Sequence, residues 1–169
     1  MSYLKELALP EVIYIGEGAF QFSPALSKLY LPKVERIGYG AFTHNQLKEV
    51  SLRKVEYIGE YVFVNNPELE KVLLPNVTYL EYEVFLGTSL KSLSLPSIKE
   101  MDSSALRGSQ LQYVIFPKSS IEGIKEAFEQ SKDVLGIGFN SDETNQISAR
   151  VGDKVSLDIP VLNNSSGMG

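Results

Sequence analysis

The fold is decided by residues 26–42, which read Leu26-Ser27-Lys28-Leu29-Tyr30-Leu31-Pro32-Lys33-Val34-Glu35-Arg36-Ile37-Gly38-Tyr39-Gly40-Ala41-Phe42. Leu29 and Leu31 lie two positions apart, which is the spacing of one face of a β-strand. Pro32 ends the strand, because proline cannot donate a hydrogen bond to a sheet. The rest of the segment turns the chain back through a short second strand, and Phe42 brings a ring into the core.

The same two phrases recur along the chain. Each copy opens with L-x-x-[LV]-x-[LF], usually followed by proline, and continues with [VI]-x-x-[ILM]-G-x-x-[AV]-F. The six copies follow one another at steps of 21 or 22 residues and begin at Leu4, Leu26, Leu47, Leu69, Leu90 and Leu111. Such a period predicts a solenoid, in which every repeat packs on its neighbours and none folds alone. The glycine of the second phrase suits either a positive φ or a close approach of two backbones.

The repeat resembles the BspA-type leucine-rich-repeat family of bacterial surface proteins, and the resemblance covers about residues 4–140. It implies a β-rich, right-handed leucine-rich-repeat solenoid with a parallel concave sheet of about seven strands. It also implies a protein that is secreted or displayed at the cell surface and adheres to host proteins or other cells. The departures from the pattern are local: Glu81 and Asp102 replace the glycine, Leu106 replaces the phenylalanine and Arg53 replaces the proline.

The sixth repeat keeps the ring but changes the element that carries it. The phrase Ser-Ser-Ile-Glu predicts a helix capped by Ser119, with Glu122 three residues later. Ile121, Ile124 and Phe128 then fall on one helical face. We therefore expect one C-terminal helix in place of a second strand, followed by a seventh strand of the sheet near 133–138.

These elements predict a solenoid over residues 1–140 and a C-terminal β extension over 141–169. In the extension, apolar residues alternate on both sides of Gly152-Asp153, which predicts a terminal hairpin. The hairpin either caps the open end of the solenoid or begins a truncated following domain. The last residues have the composition of a linker, and the chain opens without a signal peptide, so we expect a fragment of a longer protein.

Composition and charge exclude several classes of function. The formal net charge of −5 opposes binding to nucleic acid through its phosphates and binding to an anionic membrane surface. The absence of cysteine excludes a disulfide scaffold and a thiolate metal site. No apolar run is long enough for a membrane span. The partner that the family resemblance implies is a protein on a host or neighbouring cell.

Signatures of catalysis are missing from the sequence. His44 is the sole histidine and falls in an inter-repeat turn, and no serine has a suitable His or Lys arrangement to mark it as a nucleophile. Glu81 and Glu83 are repeat-turn residues. The sequence has no P-loop, G-x-G-x-x-G or HExxH motif, and Asp142-Glu143 alone does not make a calcium loop. We expect no catalytic residue, metal ion or cofactor.

The concave sheet is the first candidate binding surface, because residues that flank the second core position of each strand point outward and stack from repeat to repeat. One row comprises Glu6, Lys28, Glu49, Lys71, Ser92 and Tyr113, and the other comprises Ala8, Tyr30, Ser51, Leu73, Ser94 and Ile115. The charges of the first row fit either a salt-bridge ladder or a binding site. The apolar residues of the second row fit either burial by a partner or packing within the row.

Tyrosines form the second candidate surface, on the flank of the solenoid. None of the nine tyrosines lies at a consensus core position. One repeat position is shared by Tyr14, Arg36, Tyr57, Tyr79 and Glu100, and the turn after it holds Tyr39, Tyr61 and Tyr82. Tyrosine offers a large contact area at little entropic cost. The flank is therefore either an alternative binding surface or a ladder of rings that shields the solenoid.

Three functions fit these observations. The favoured one is a non-catalytic adhesion module of a bacterial cell-surface or secreted protein, binding a host or neighbouring-cell protein through the concave sheet. The second is a structural stalk or spacer, and the third is an accessory binding domain of a larger secreted enzyme. A continuous open patch of Tyr30, Leu73 and Ile115 would favour adhesion, whereas coverage of these side chains would favour the stalk.

Overall fold

The computed structural model describes residues 3–131 and the strand 136–139, and its strands alternate between two sheets. The first sheet contains β1 (Glu6–Ala8), β3 (Lys28–Tyr30), β5 (Glu49–Ser51), β7 (Lys71–Leu73), β9 (Ser92–Ser94), β11 (Tyr113–Phe116) and β12 (Gly136–Phe139). The second contains β2 (Tyr14–Ile15), β4 (Arg36–Ile37), β6 (Tyr57–Ile58), β8 (Tyr79–Leu80) and β10 (Glu100–Met101). The terminal hairpin and linker predicted within 141–169 lie outside the described residues.

Every strand pair in the described part of the chain is parallel. In the first sheet β1 pairs with β3, and β5, β7, β9, β11 and β12 pair in that order. In the second sheet β2, β4 and β6 pair in order, and β8 pairs with β10. Because neighbouring strands are one repeat apart in sequence, the chain forms a stacked solenoid. The predicted leucine-rich-repeat fold, with about seven strands in its first sheet, is confirmed.

The core is built from the repeated apolar positions, and its largest members form one column of rings. Ring centroids are 5.7 Å apart for Phe20 and Phe42, 6.3 Å for Phe42 and Phe63, and 6.0 Å for Phe63 and Phe85. The planes of these pairs lie within 11° of parallel. Leu106 takes the next position of the pattern and is fully buried, so this departure from the pattern preserves the core.

The helix α1 (Ile121–Gln130) replaces the second strand of the sixth repeat, as predicted. It packs against β10, and Ile124 and Phe128 are buried. The centroid of the Phe128 ring lies 5.7 Å from that of Phe116. The sixth repeat therefore supplies a core ring through a different secondary structure.

The predicted cap of this helix at Ser119 is wrong. A 3-10 turn over Lys118–Ser120 precedes α1, and the N-cap residue is Ser120, whose side chain makes no capping hydrogen bond. The Ser120 hydroxyl donates instead to the carbonyl of Ile98 in the preceding repeat. A bond between repeats has replaced the local cap that the sequence suggested.

Close backbone approach, and not a positive φ, explains the glycine of the second phrase. A Cβ atom at Gly38 would lie 2.8 Å from the backbone nitrogen of Glu17, and one at Gly59 would lie 2.8 Å from that of Tyr39. Left-handed conformations occur two positions later, at Gly40 and Tyr61. The glycines therefore let one turn of the solenoid lie directly on the turn before it.

Gly59→Ala should lower the free energy of unfolding by about 1–3 kcal/mol, because the added methyl group forces two packed turns apart. Glu81 occupies the same position one repeat later, so the backbone can adjust, but only with a shift. Gly16→Ala is the matched control, since its Cβ would meet only a Tyr14 ring carbon at 3.9 Å. Urea denaturation measures both variants, and equal losses would contradict the close-approach explanation.

Candidate binding surfaces

The sheet face, defined as the outward side of the first sheet, holds both predicted rows in register. The first row aligns Glu6 with Lys28 and, farther along, Glu49 with Lys71, Ser92 and Tyr113; the second aligns Ala8 with Tyr30, and Ser51 with Leu73, Ser94 and Ile115. Tyr30 is 61% exposed, whereas Leu73 and Ile115 are half-buried. A serine separates each of these apolar side chains from the next. They therefore form three spaced contact points on an open face, and not one continuous patch.

The charges of the first row do not form the salt-bridge ladder considered above. Ion pairs among the residues described by the structure join Lys33 to Glu11 at 2.8 Å, Lys91 to Glu70 at 3.6 Å and Arg107 to Glu83 at 2.8 Å. None of them joins Glu6 to Lys28 or Glu49 to Lys71. A groove of about 440 Å³ opens instead at the sheet face, lined by Lys48, Glu49, Glu68, Glu70, Lys71, Lys91 and Ser92. The charged groups of Glu49 and Lys71 are thus available to a ligand.

The flank, defined as the outward side of the second sheet, aligns the predicted tyrosines with Arg36. Arg36 pairs with Tyr14 on one side and with Tyr57 on the other, and Tyr79 pairs with Glu100. The guanidinium carbon of Arg36 lies 4.4 Å from the centroid of the Tyr57 ring, which is a cation–π contact. Tyr14 is 57% exposed and Tyr79 is 38% exposed. Both rings are therefore accessible.

A second column of tyrosines runs through the turns beside the flank. The ring centroids of Tyr39 and Tyr61, and of Tyr61 and Tyr82, are 5.4 Å apart in each pair, with interplanar angles of 65° and 64°. Edge-to-face packing of this kind stabilises aromatic neighbours. The interpretation as a ladder of rings that shields the solenoid fits this column well. In the flank row, the one stacked contact among the described residues is between Arg36 and Tyr57.

Carboxylates lie close to the flank tyrosines. Burial, then the charges of Glu60 and Asp102, raise the pKa of the Glu81 carboxyl above its ordinary value. Burial, then the charges of Asp102, Glu81 and Glu100, raise the pKa of the Tyr79 hydroxyl. Burial and the charge of Glu81 likewise raise the pKa of Tyr57, which Arg36 partly opposes. The carboxylates of Glu81, Glu100 and Asp102 therefore place negative charge around Tyr79.

The lone histidine has a structural role. The ring of His44 stacks on Phe22 with centroids 4.3 Å apart, and its Nε2 lies 3.0 Å from Nδ2 of Asn65. Among the described residues, no group of three or more acidic or histidine side chains could hold a metal ion. No helix in the same part of the chain is long and apolar enough to cross a membrane.

The repeat can now be compared with known proteins. A family model described as the BspA type leucine rich repeat region matches in six copies, over residues 1–111 and 56–157. The chain belongs to the BspA-type leucine-rich-repeat family. No curated protein matches the sequence.

The BspA-type solenoid is similar to two solved structures. The pneumococcal vaccine antigen PcpA aligns with a TM-score of 0.63 and 25% identity, over 70% of this chain and 32% of that chain. A leucine-rich repeat protein from Bacteroides ovatus aligns with a TM-score of 0.51 and 26% identity, over 70% of this chain and 38% of that chain. This chain therefore covers only about a third of the length of each of these proteins.

Sequence reasoning missed two features of this BspA-type array. The first is a buried polar position, three residues after the core position that holds a phenylalanine ring or, once, Leu106. It is occupied by Ser23, Asn45, Asn66, Thr88, Ser109 and Ser131. Its signal was available, because small polar residues recur there at the repeat period. The second is the group of carboxylates on the flank: Glu81 was set aside as a turn residue, although it lies two positions after Tyr79.

Proposed function

We propose that this domain is a non-catalytic adhesion module of a bacterial cell-surface or secreted protein, and that it binds a protein ligand through the sheet face. The observation that carries the proposal is the open second row, in which Tyr30 is exposed and Leu73 and Ile115 are partly exposed, each separated from the next by a serine. Large apolar side chains at accessible positions are typical anchors of protein interfaces. Glu49 and Lys71 of the first row, which form no ion pair among the described residues, would add electrostatic specificity.

Membership in the BspA-type family supports this function and its extracellular location. The similarity to a pneumococcal vaccine antigen agrees with the extracellular location, since an antigen used in a vaccine has to be reached by antibodies. Parallel strands hold the two rows rigidly in register, so that little conformational entropy is lost when a ligand binds.

Tyr30→Ser combined with Leu73→Ser should weaken ligand binding at least tenfold, because two interface anchors are lost. The melting temperature should fall by no more than about 1–3 °C, since Tyr30 is mostly exposed and Leu73 is half-buried. Binding is measured on plates coated with fibronectin, fibrinogen, laminin or collagen. Phe22→Ser, which removes a 59% exposed ring away from the sheet face, is the control. Unchanged binding by the double variant would exclude the sheet face as the main contact and favour a stalk.

A further inference from the structure

The flank already binds one guanidinium group, and it is the protein's own. Arg36 lies over the ring of Tyr57 at 4.4 Å, in a row where tyrosine is the commonest residue. The position next to Tyr57 in this row holds Tyr79, which has no such cation over its ring in the described part of the chain. Tyr79 is 38% exposed. The ring of Tyr57 is thus covered by an arginine, whereas Tyr79 presents a similar ring to solvent.

The surroundings of Tyr79 also carry negative charge, on carboxylates that form no ion pair among the described residues. Among the described residues, the Glu81 side chain has neither a hydrogen bond nor an ion pair. Asp102 accepts hydrogen bonds from the backbone nitrogen and the hydroxyl of Ser104, at 2.9 and 2.6 Å, both through Oδ1, and among the described residues it forms no ion pair. Lys99 lines the groove at Tyr79, yet it forms no ion pair with either carboxylate.

This arrangement costs stability. The raised pKa of Glu81 means that burial and the neighbouring Glu60 and Asp102 disfavour its ionised form in the folded protein. Wherever this carboxyl is ionised, the same interactions oppose folding. A charge that is kept against the stability of the fold is a common property of binding sites.

We propose that the flank binds an arginine side chain from a segment of a partner protein, with the guanidinium over Tyr79 and its N–H groups donating to Glu81 and Asp102. Arginine fits better than lysine, because a planar guanidinium can stack on a ring and donate to two carboxylates at once. A phosphate-bearing partner is disfavoured by the same charges. The site is distinct from the sheet face, and it stands whether or not that face binds a ligand.

The test uses three capped, fluorescein-labelled peptides in which glycine alternates with arginine, lysine or citrulline. Fluorescence anisotropy at low salt should show binding of the arginine peptide, at least threefold weaker binding of the lysine peptide and none of the citrulline peptide, which has the same shape without charge. Tyr79→Ala should weaken arginine-peptide binding at least threefold, and Glu81→Gln with Asp102→Asn at least tenfold. Equal binding of the citrulline peptide, or unchanged binding by both variants, would overturn the proposal.

A matched control separates a site from general attraction to an acidic protein. Glu126→Gln with Glu129→Gln removes the same charge from exposed positions on α1 and should leave binding within twofold of the parent chain. A loss as large as that of the flank double variant would show that only net charge matters, and would refute the site.

A stability measurement keeps the binding result interpretable. Glu81→Gln alone should raise the melting temperature at pH 7 by about 1–2 °C, since it removes a carboxylate that opposes folding. The gain should vanish below the ordinary carboxyl pKa of 4.5, where the folded and unfolded states both carry the proton. A lower melting temperature at pH 7 would show that Glu81 has a stabilising partner in the chain, which would overturn its assignment as a ligand-binding residue.

Discussion

Phe42→Ala should lower the free energy of unfolding by about 3–5 kcal/mol, which is the usual cost of truncating a fully buried phenylalanine. The ring of Phe42 has no exposed surface and lies between two others, with centroids 5.7 Å from Phe20 and 6.3 Å from Phe63. Its removal therefore empties a space that is walled by rings from both adjacent repeats. The Phe63 ring is held in turn by Phe85, with centroids 6.0 Å apart, so the cavity cannot collapse fully from that side.

The position of Phe42 within the array increases the effect. Each repeat of a solenoid is stabilised mainly through its interfaces with the repeats before and after it. A cavity at Phe42 weakens the interfaces on both sides of the second repeat, so the denaturation curve should move to lower urea and also broaden if the first repeat begins to unfold separately.

Phe22→Ala is the matched control for this prediction. It removes a side chain of the same type from the adjacent repeat, but the ring is 59% exposed and its described contact is the stack on His44. The expected loss is below about 1 kcal/mol. Denaturation monitored by far-UV circular dichroism compares the two variants, and similar losses would refute the column of rings as the main source of stability.

Much of the fold could be predicted because the repeat period determines whether each side chain points into the core or outward. Once Val50 and Leu52 are placed in the core, Glu49 and Ser51 have to point outward, and the structure has them so. The replacement of a strand by α1 was also predictable, since a strand would place Ile121 and Ile124 on opposite faces, whereas a helix places both on one face with Phe128.

The sequence could not predict whether a polar side chain bonds to a near neighbour in the chain or to a residue one repeat away. Ser119 fits a helix cap by its neighbours alone, but the hydroxyl of Ser120 bonds to a carbonyl one repeat away. Glu49 and Lys71 have opposite charges and are aligned, yet side-chain rotamers decide whether they meet, and here they do not. The same limit applies to the candidate sites: the period places Tyr30 and Tyr79 on surfaces, but the identity of a ligand is not encoded in the period.

Asn66→Ala should lower the free energy of unfolding by about 2–4 kcal/mol, because it leaves buried backbone groups without partners. Asn66 is fully buried. Its Nδ2 donates to the carbonyls of Phe42 at 2.8 Å and Phe63 at 3.0 Å, and its Oδ1 accepts from the backbone nitrogen of Leu47 at 3.2 Å. One side chain thus satisfies three backbone groups, two of which belong to other turns of the solenoid.

Two further variants decide whether the contacts between repeats carry this effect. Asn66→Ser can keep the bond to Phe63, as Ser109 bonds to Leu106 at 2.7 Å in its own repeat, but it cannot reach the adjacent turn. It should therefore lose about half as much stability as the alanine variant. Asn76→Ala removes an exposed amide with one bond to Arg53, and should cost less than about 1 kcal/mol. If the serine variant were as stable as the parent chain, the bonds that Asn66 makes to other turns would contribute nothing, and apolar stacking alone would hold the repeats together.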